Sequence, residues 1–170
     1  MLEVAIDTDA EWDSSTDWQA LARAAADAAI AESAFPQLAA GPRPVELSVR
    51  LTGDDQVQAL NEQWRGKDRP TNVLSFPMAE RQELETALGD GPELMLGDVV
   101  LAHGVCAAEA AARAIPIADH AAHLLVHGTL HLLGHDHQDD ESAARMEERE
   151  TRALARLGIA DPYSPGLGDR

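Results

Sequence analysis

The chain has one cysteine, Cys106, so it forms no internal disulfide and no cysteine-based zinc finger. Basic residues are scarce: 13 Lys and Arg stand against 30 Asp and Glu, a formal net charge of −17. That field repels nucleic acid at long range and lowers non-specific affinity for it. Any nucleic-acid role therefore depends on a local basic patch or a metal ion. No run of about 18 apolar residues occurs, which excludes an ordinary membrane-spanning helix. The opening stretch MLEVAIDTDAEWD is acidic from Glu3 onward and lacks the basic start of a signal peptide, so a cytoplasmic protein is expected. Internal repeats are absent too.

What is present suffices for one folded domain. A chain of 170 residues, 45% hydrophobic, buries a proper core. LEVAID (2–7) and VELSVRL (45–51) alternate apolar and polar residues as strands do, and Val45, Leu47, Val49 and Leu51 share one side. Between them a helix is expected over about 15–33, with Ser14 and Asp17 at its start and Trp18, Leu21, Ala25 and Ala29 facing inward. Thr52 is placed to cap a short helix carrying Val57, Leu60 and Trp64. RGKDRPTNVLSFP (65–77) reads as a basic loop entering a short strand, and 79–93 as a polar surface loop. ELMLGDVVLA (93–102) is a strand in which Gly97 signals a bulge or a close backbone approach. Helices follow over about 103–114, 119–133 and 140–157, the last closed by Gly158. The expectation is an α+β fold: one small mixed sheet of about four strands, flanked by about five helices, with a domain at 1–160 and a tail at 161–170.

The densest chemistry lies in HGTLHLLGHDH (127–137), which holds four of the seven histidines. Asp119 can cap the helix that carries His127 and His131. Residues i and i+4 differ by about 40° in direction and about 6 Å in height, so two imidazoles can grip one ion. A third ligand cannot come from the same straight helix: His123 shares the face but lies about 12 Å from the level of His131. Gly134 ends the helix in a left-handed conformation, and the returning chain offers His137. Three histidines leave a fourth position open, as in catalytic rather than structural zinc sites. His135 and Asp136 are candidate partners that orient a ligand, or plain loop residues. His103, His120 and His123, taken singly, read as packed core histidines.

The spacing H-x-x-x-H-x-x-G-x-x-H is that of zinc peptidases, but Gly128 stands where those enzymes carry a catalytic glutamate. Without that base, metal-assisted phosphodiester cleavage becomes the better reading, provided a cation binds the phosphate. Arg65, Lys67 and Arg69 form the local basic cluster, and Arg65 at a helix end can offer a bidentate fork to a phosphate.

RGKDRPTNVLSFP, LGDVVLA, HGTLHLLGHDH, DDESAARMEERE and LGIADPY, in that order between about Val45 and Tyr163, closely resemble the motifs of the YbeY family of bacterial ribosomal RNA maturation factors. The resemblance implies a single-metal endoribonuclease with one zinc ion on His127, His131 and His137, and Arg65 as a functional arginine in a cleft beside the metal. It implies action on single-stranded regions of ribosomal RNA, notably at the 3′ end of the small-subunit RNA, and in ribosome quality control. Ribosomal proteins or the small subunit, and a GTPase assembly factor, are the implied partners; no membrane is. Two rival classes are a metalloprotease and a non-catalytic ribosome-assembly factor with a structural metal.

Overall fold

A computed structural model describes residues 1–86, 91–136 and 138–163. Four strands, β1 Leu2–Thr8, β2 Val45–Thr52, β3 Val73–Pro77 and β4 Leu94–Ala102, form one mixed sheet in the order β1-β2-β4-β3. β1, β2 and β4 run parallel, and β3 pairs antiparallel with β4 at the edge. Among the described residues seven helices accompany it: α1 Trp18–Ala31, α2 Gln37–Ala40, α3 Asp54–Arg65, α4 Arg81–Thr86, α5 His103–Ala112, α6 Ile117–Leu132 and α7 Asp140–Arg156. Five are those expected. α2 and α4 have four and six residues, too few for a 3.6-residue periodicity to register. Part of the expected 79–93 loop, 87–90, lies outside the described residues.

Strand alternation divides the sheet into two unlike faces. Val45, Leu47, Val49 and Leu51 join Leu2, Val4, Val99 and Leu101 in the main core, beneath α1, α6 and α7. On the other face α3 covers only a small apolar patch, packing Val57 on Leu74, Val100 and Ala102. A bulge between β2 and β4 at Glu46/Leu47 restores the pleat, and Gly97 sits beside it with φ +138°. A Cβ there would fall 2.2 Å from the Phe76 carbonyl oxygen, which is the close approach the glycine signalled.

Three cap assignments are corrected. α1 begins at Trp18, and Asp17 alone caps it, accepting the Ala20 N–H at 3.0 Å; Ser14 takes no part. Gly53 rather than Thr52 precedes α3, because the Thr52 hydroxyl donates instead to Asp9 Oδ2 at 2.5 Å. Pro116 starts α6 with its fixed φ of −62°, leaving Asp119 in the first turn, where its charge meets the positive helix end. Trp64, expected beside Val57 and Leu60, is 64% exposed.

Candidate metal centre

α6 rests on the sheet through Gly128. A Cβ at that position would lie 2.7 Å from Val99 Cγ1 and 3.1 Å from Ser75 Oγ. The residue after the first histidine therefore faces the core, and no glutamate fits there. His127 and His131 sit on the half-buried side, with their Nε2 atoms 3.1 Å apart. Two ring nitrogens aimed at one point at that separation suit two ligands of one small cation.

Beyond His131 the helix closes as expected. Gly134 has φ +89°, its N–H donates to the His131 carbonyl at 3.0 Å, and the His135 N–H donates to the Leu130 carbonyl at 3.0 Å. This paired closure turns the chain back. His137, the expected third ligand, lies outside the described residues. His135 directs its ring away: Nε2 accepts the Ala34 N–H at 3.3 Å, and burial, with Arg149 and Arg81 nearby, lowers its pKa to about 4. Asp136 Oδ1 accepts the Gln138 N–H at 3.4 Å.

The residue that sequence reasoning missed is Glu150 of α7, 1% exposed. Its Oε1 lies 3.3 Å from His127 Nδ1 and 2.7 Å from His123 Nε2, and it accepts the Tyr163 hydroxyl at 2.9 Å. Burial alone would raise its pKa. The hydrogen bonds from His123 and His127, and the charge of those rings, outweigh burial and hold it at about 2. A carboxylate beside one imidazole nitrogen is the arrangement that orients a histidine for binding a metal through the other. Burial and the Glu150 charge push the Tyr163 hydroxyl upward, so it stays a donor. A cavity of about 220 Å³ adjoins this group, lined by His127, Met146, Glu147, Glu150 and Tyr163. One signal was available: Met146, Glu150, Ala153 and Leu154 lie on one buried stripe of α7, and an acid on such a stripe needs a partner.

His120, expected in the core, is buried with Nε2 2.8 Å from Glu109 Oε1. His103 packs edge-on against Trp12. Arg65 ends α3 and is exposed, as are Lys67 and Arg69. α3 lies on the Leu74/Val100 face and α6 on the Ser75/Val99 face, so Arg65 and the histidine pair belong to elements on opposite sides of β3 and β4. A separate acidic group, Glu3, Glu46 and Glu93, brings carboxylate oxygens within 4.8 Å of one another at the surface. Its hydrogen-bonded Glu93 and like charges raise the pKa of Glu46.

The chain is a single α+β domain that carries a helix-borne histidine pair beside a buried carboxylate, a donor set that could hold a metal ion. The family model for "Endoribonuclease YbeY" matches residues 5–158, and the chain belongs to that family. It is 50% identical over 165 residues to the endoribonuclease YbeY of Rhizorhabdus wittichii, covering 96% of this chain and 98% of that protein. Against the Zymomonas mobilis endoribonuclease YbeY it is 47% identical over 165 residues, covering 96% and 94%. A solution structure of the Thermotoga maritima protein TM1509 shares the fold, with a TM-score of 0.53 at 20% identity over 96% of this chain and 99% of that one.

Proposed function

We propose that the protein is a zinc-dependent endoribonuclease that cuts single-stranded ribosomal RNA, at the 3′ end of the small-subunit RNA, during maturation and quality control of the ribosome. The converging Nε2 atoms of His127 and His131, with Nδ1 of His127 on Glu150, carry this reading. Family membership supports RNA as the substrate. No helix among the described residues is long and apolar enough to cross a membrane, which is compatible with work in the cytoplasm.

His127, His131 and His137 would hold one zinc ion per chain. When bound, the ion would supply Lewis acidity at the scissile phosphate and favour ionisation of an attacking water. Glu150 orients His127. Arg65, exposed at the end of α3 across the β3 edge from the histidines, would bind phosphate oxygens of RNA that wraps that edge. Gly128 leaves no place for the glutamate base of a peptidase, which weighs against the protease alternative. Attack by water and attack by the RNA 2′-hydroxyl differ in their products, and only the second leaves a cyclic phosphate. The charge of −17 suits contact with basic ribosomal proteins, which together with a GTPase assembly factor complete the proposed partners.

The test combines metal analysis with an RNA-cleavage assay on wild type, His131→Ala, His137→Ala and Arg65→Ala, each checked for folding. The histidine variants should lose both metal and activity, and Arg65→Ala should keep metal and lose most activity. Full activity in all three variants excludes the proposal. Tight small-subunit binding without any cleavage would favour the assembly-factor alternative.

A further inference from the structure

The face of the sheet that α3 leaves uncovered holds a cavity of about 640 Å³, within the range of small-ligand sites. Its floor is the outward face of three parallel strands: Arg50 of β2 lies opposite Asp7 of β1, and Asp98 of β4 lies opposite Ser48, one pleat along. Its rim is apolar and exposed, with Trp64 at 64% and Met78 at 54%, and Phe76 of the edge strand forms a side wall. Arg50 Nε is buried and has no hydrogen-bond partner. A buried donor left without an acceptor loses free energy, and a ligand that supplies the acceptor recovers it.

The charges on the floor select the ligand. One carboxylate opposite the guanidinium and a second one pleat away disfavour a phosphate, which carries only acceptors and negative charge. They fit a neutral group whose edge carries acceptors for Arg50 and donors for Asp7 or Asp98. A nucleobase has such an edge. It also has a flat face for Trp64 and Phe76, the usual way single-stranded RNA is held. Location fits as well. Trp64 immediately precedes Arg65, and β3 is the edge strand that lies between this cavity and α6. The two sides lie at one level, because Leu132 of α6 reaches within 2.9 Å of a Cβ built on Gly97, and Gly97 pairs with Pro77 beside Phe76 and Met78.

We propose that this cavity is a base subsite: one unstacked nucleobase of the RNA substrate enters it, edge on Arg50 and the two aspartates, face on Trp64. The assignment rests on the RNA-cleaving reading above. It gives an acidic protein a hold on RNA that does not depend on a broad basic surface.

The metal-loaded protein is titrated with the four nucleoside 5′-monophosphates, which have no phosphodiester bond to cut, and with ribose 5-phosphate as the base-free control. Trp12 and Trp18 are buried, so changes in emission report Trp64. Nucleotides should quench this emission and ribose 5-phosphate should not. Arg50→Met should weaken the quench, and Trp64→Ala should raise KM for RNA cleavage about tenfold with little change in kcat, while Trp64→Tyr restores it. Trp64 is exposed, so its replacement does not threaten folding. Equal quenching by ribose 5-phosphate overturns the proposal in favour of a phosphate site. Quenching by a lysine-rich peptide but not by nucleotides overturns it in favour of protein docking. No quenching, with KM unchanged in Trp64→Ala, overturns the subsite while leaving the nuclease intact. If the wild type cleaves no RNA but nucleotides still quench, base binding stands and the nuclease reading falls.

Discussion

Glu150 and His127 meet 3.3 Å apart, carboxylate oxygen to Nδ1, across the interface between α7 and α6. The contact holds the ring by one nitrogen, and the other, Nε2, lies 3.1 Å from Nε2 of His131. Loss of such a carboxylate commonly weakens a metal site by about 10- to 100-fold. Glu150→Gln keeps the shape and removes the charge, so zinc affinity should fall by about that factor. Competition with a chromophoric chelator measures it. An unchanged affinity would show that Glu150 holds only the fold.

Restoring the peptidase glutamate should damage the protein rather than convert it. Gly128→Ala gains about 1 kcal/mol of helix propensity, but its Cβ meets buried Val99 at 2.7 Å, and overpacking of that kind costs about 1–3 kcal/mol. The net expectation is a modest loss for alanine and a loss of several kcal/mol for Gly128→Glu, which also drives a carboxylate into the core. Urea unfolding of the two variants checks this ordering. A Gly128→Glu protein as stable as wild type would show that α6 can lift from the sheet.

Local patterns were legible in the sequence wherever the chain's neighbours in space are also its neighbours in sequence. The alternation of β2, the i,i+4 histidines and the left-handed Gly134 all belong to this class. Caps were less legible, because Thr52 had a rival partner in Asp9, 43 residues away. Glu150 was hidden for the same reason, since its partners lie 23 and 27 residues earlier, on another helix. The cavity floor depends on strand order: Asp7 meets Arg50 because β1 pairs with β2, and Asp98 joins the same face because β4 inserts between β2 and β3. His135, one residue past Gly134, reads equally as a partner of the ligands or as a loop residue by spacing, and its ring bonds Ala34 of the α1–α2 connection, 101 residues away.

Acid should weaken the fold through His120. Burial is the main influence on this ring and lowers its pKa below the ordinary 6.5, although Glu109 opposes the shift. Just below pH 6.5 the unfolded chain therefore binds a proton that the folded chain refuses. The stabilising effect of the neutral ring is complete above pH 6.5 and is lost as pH falls through that value, with a slope of at most about 1.4 kcal/mol per pH unit for one proton. His135 moves in the same direction. In urea unfolding between pH 7 and 5.5, His120→Phe should show a flatter dependence than wild type. Identical slopes would place the titration elsewhere.

Cys106 should be chemically silent in the folded protein. It lies in the first turns of α5, where the helix end favours a thiolate. Burial opposes this and dominates, and Glu109 and Asp54 add negative charge nearby, so the thiol's pKa rises to about 12. Its Sγ lies 3.7 Å from the Asn72 carbonyl oxygen, beneath the start of β3. At pH 8 the native protein should resist iodoacetamide for hours while the urea-unfolded chain labels fully, which makes labelling a clock for unfolding. Labelling of the native protein at the rate of a free thiol would mean that the β3–α5 contact opens on its own.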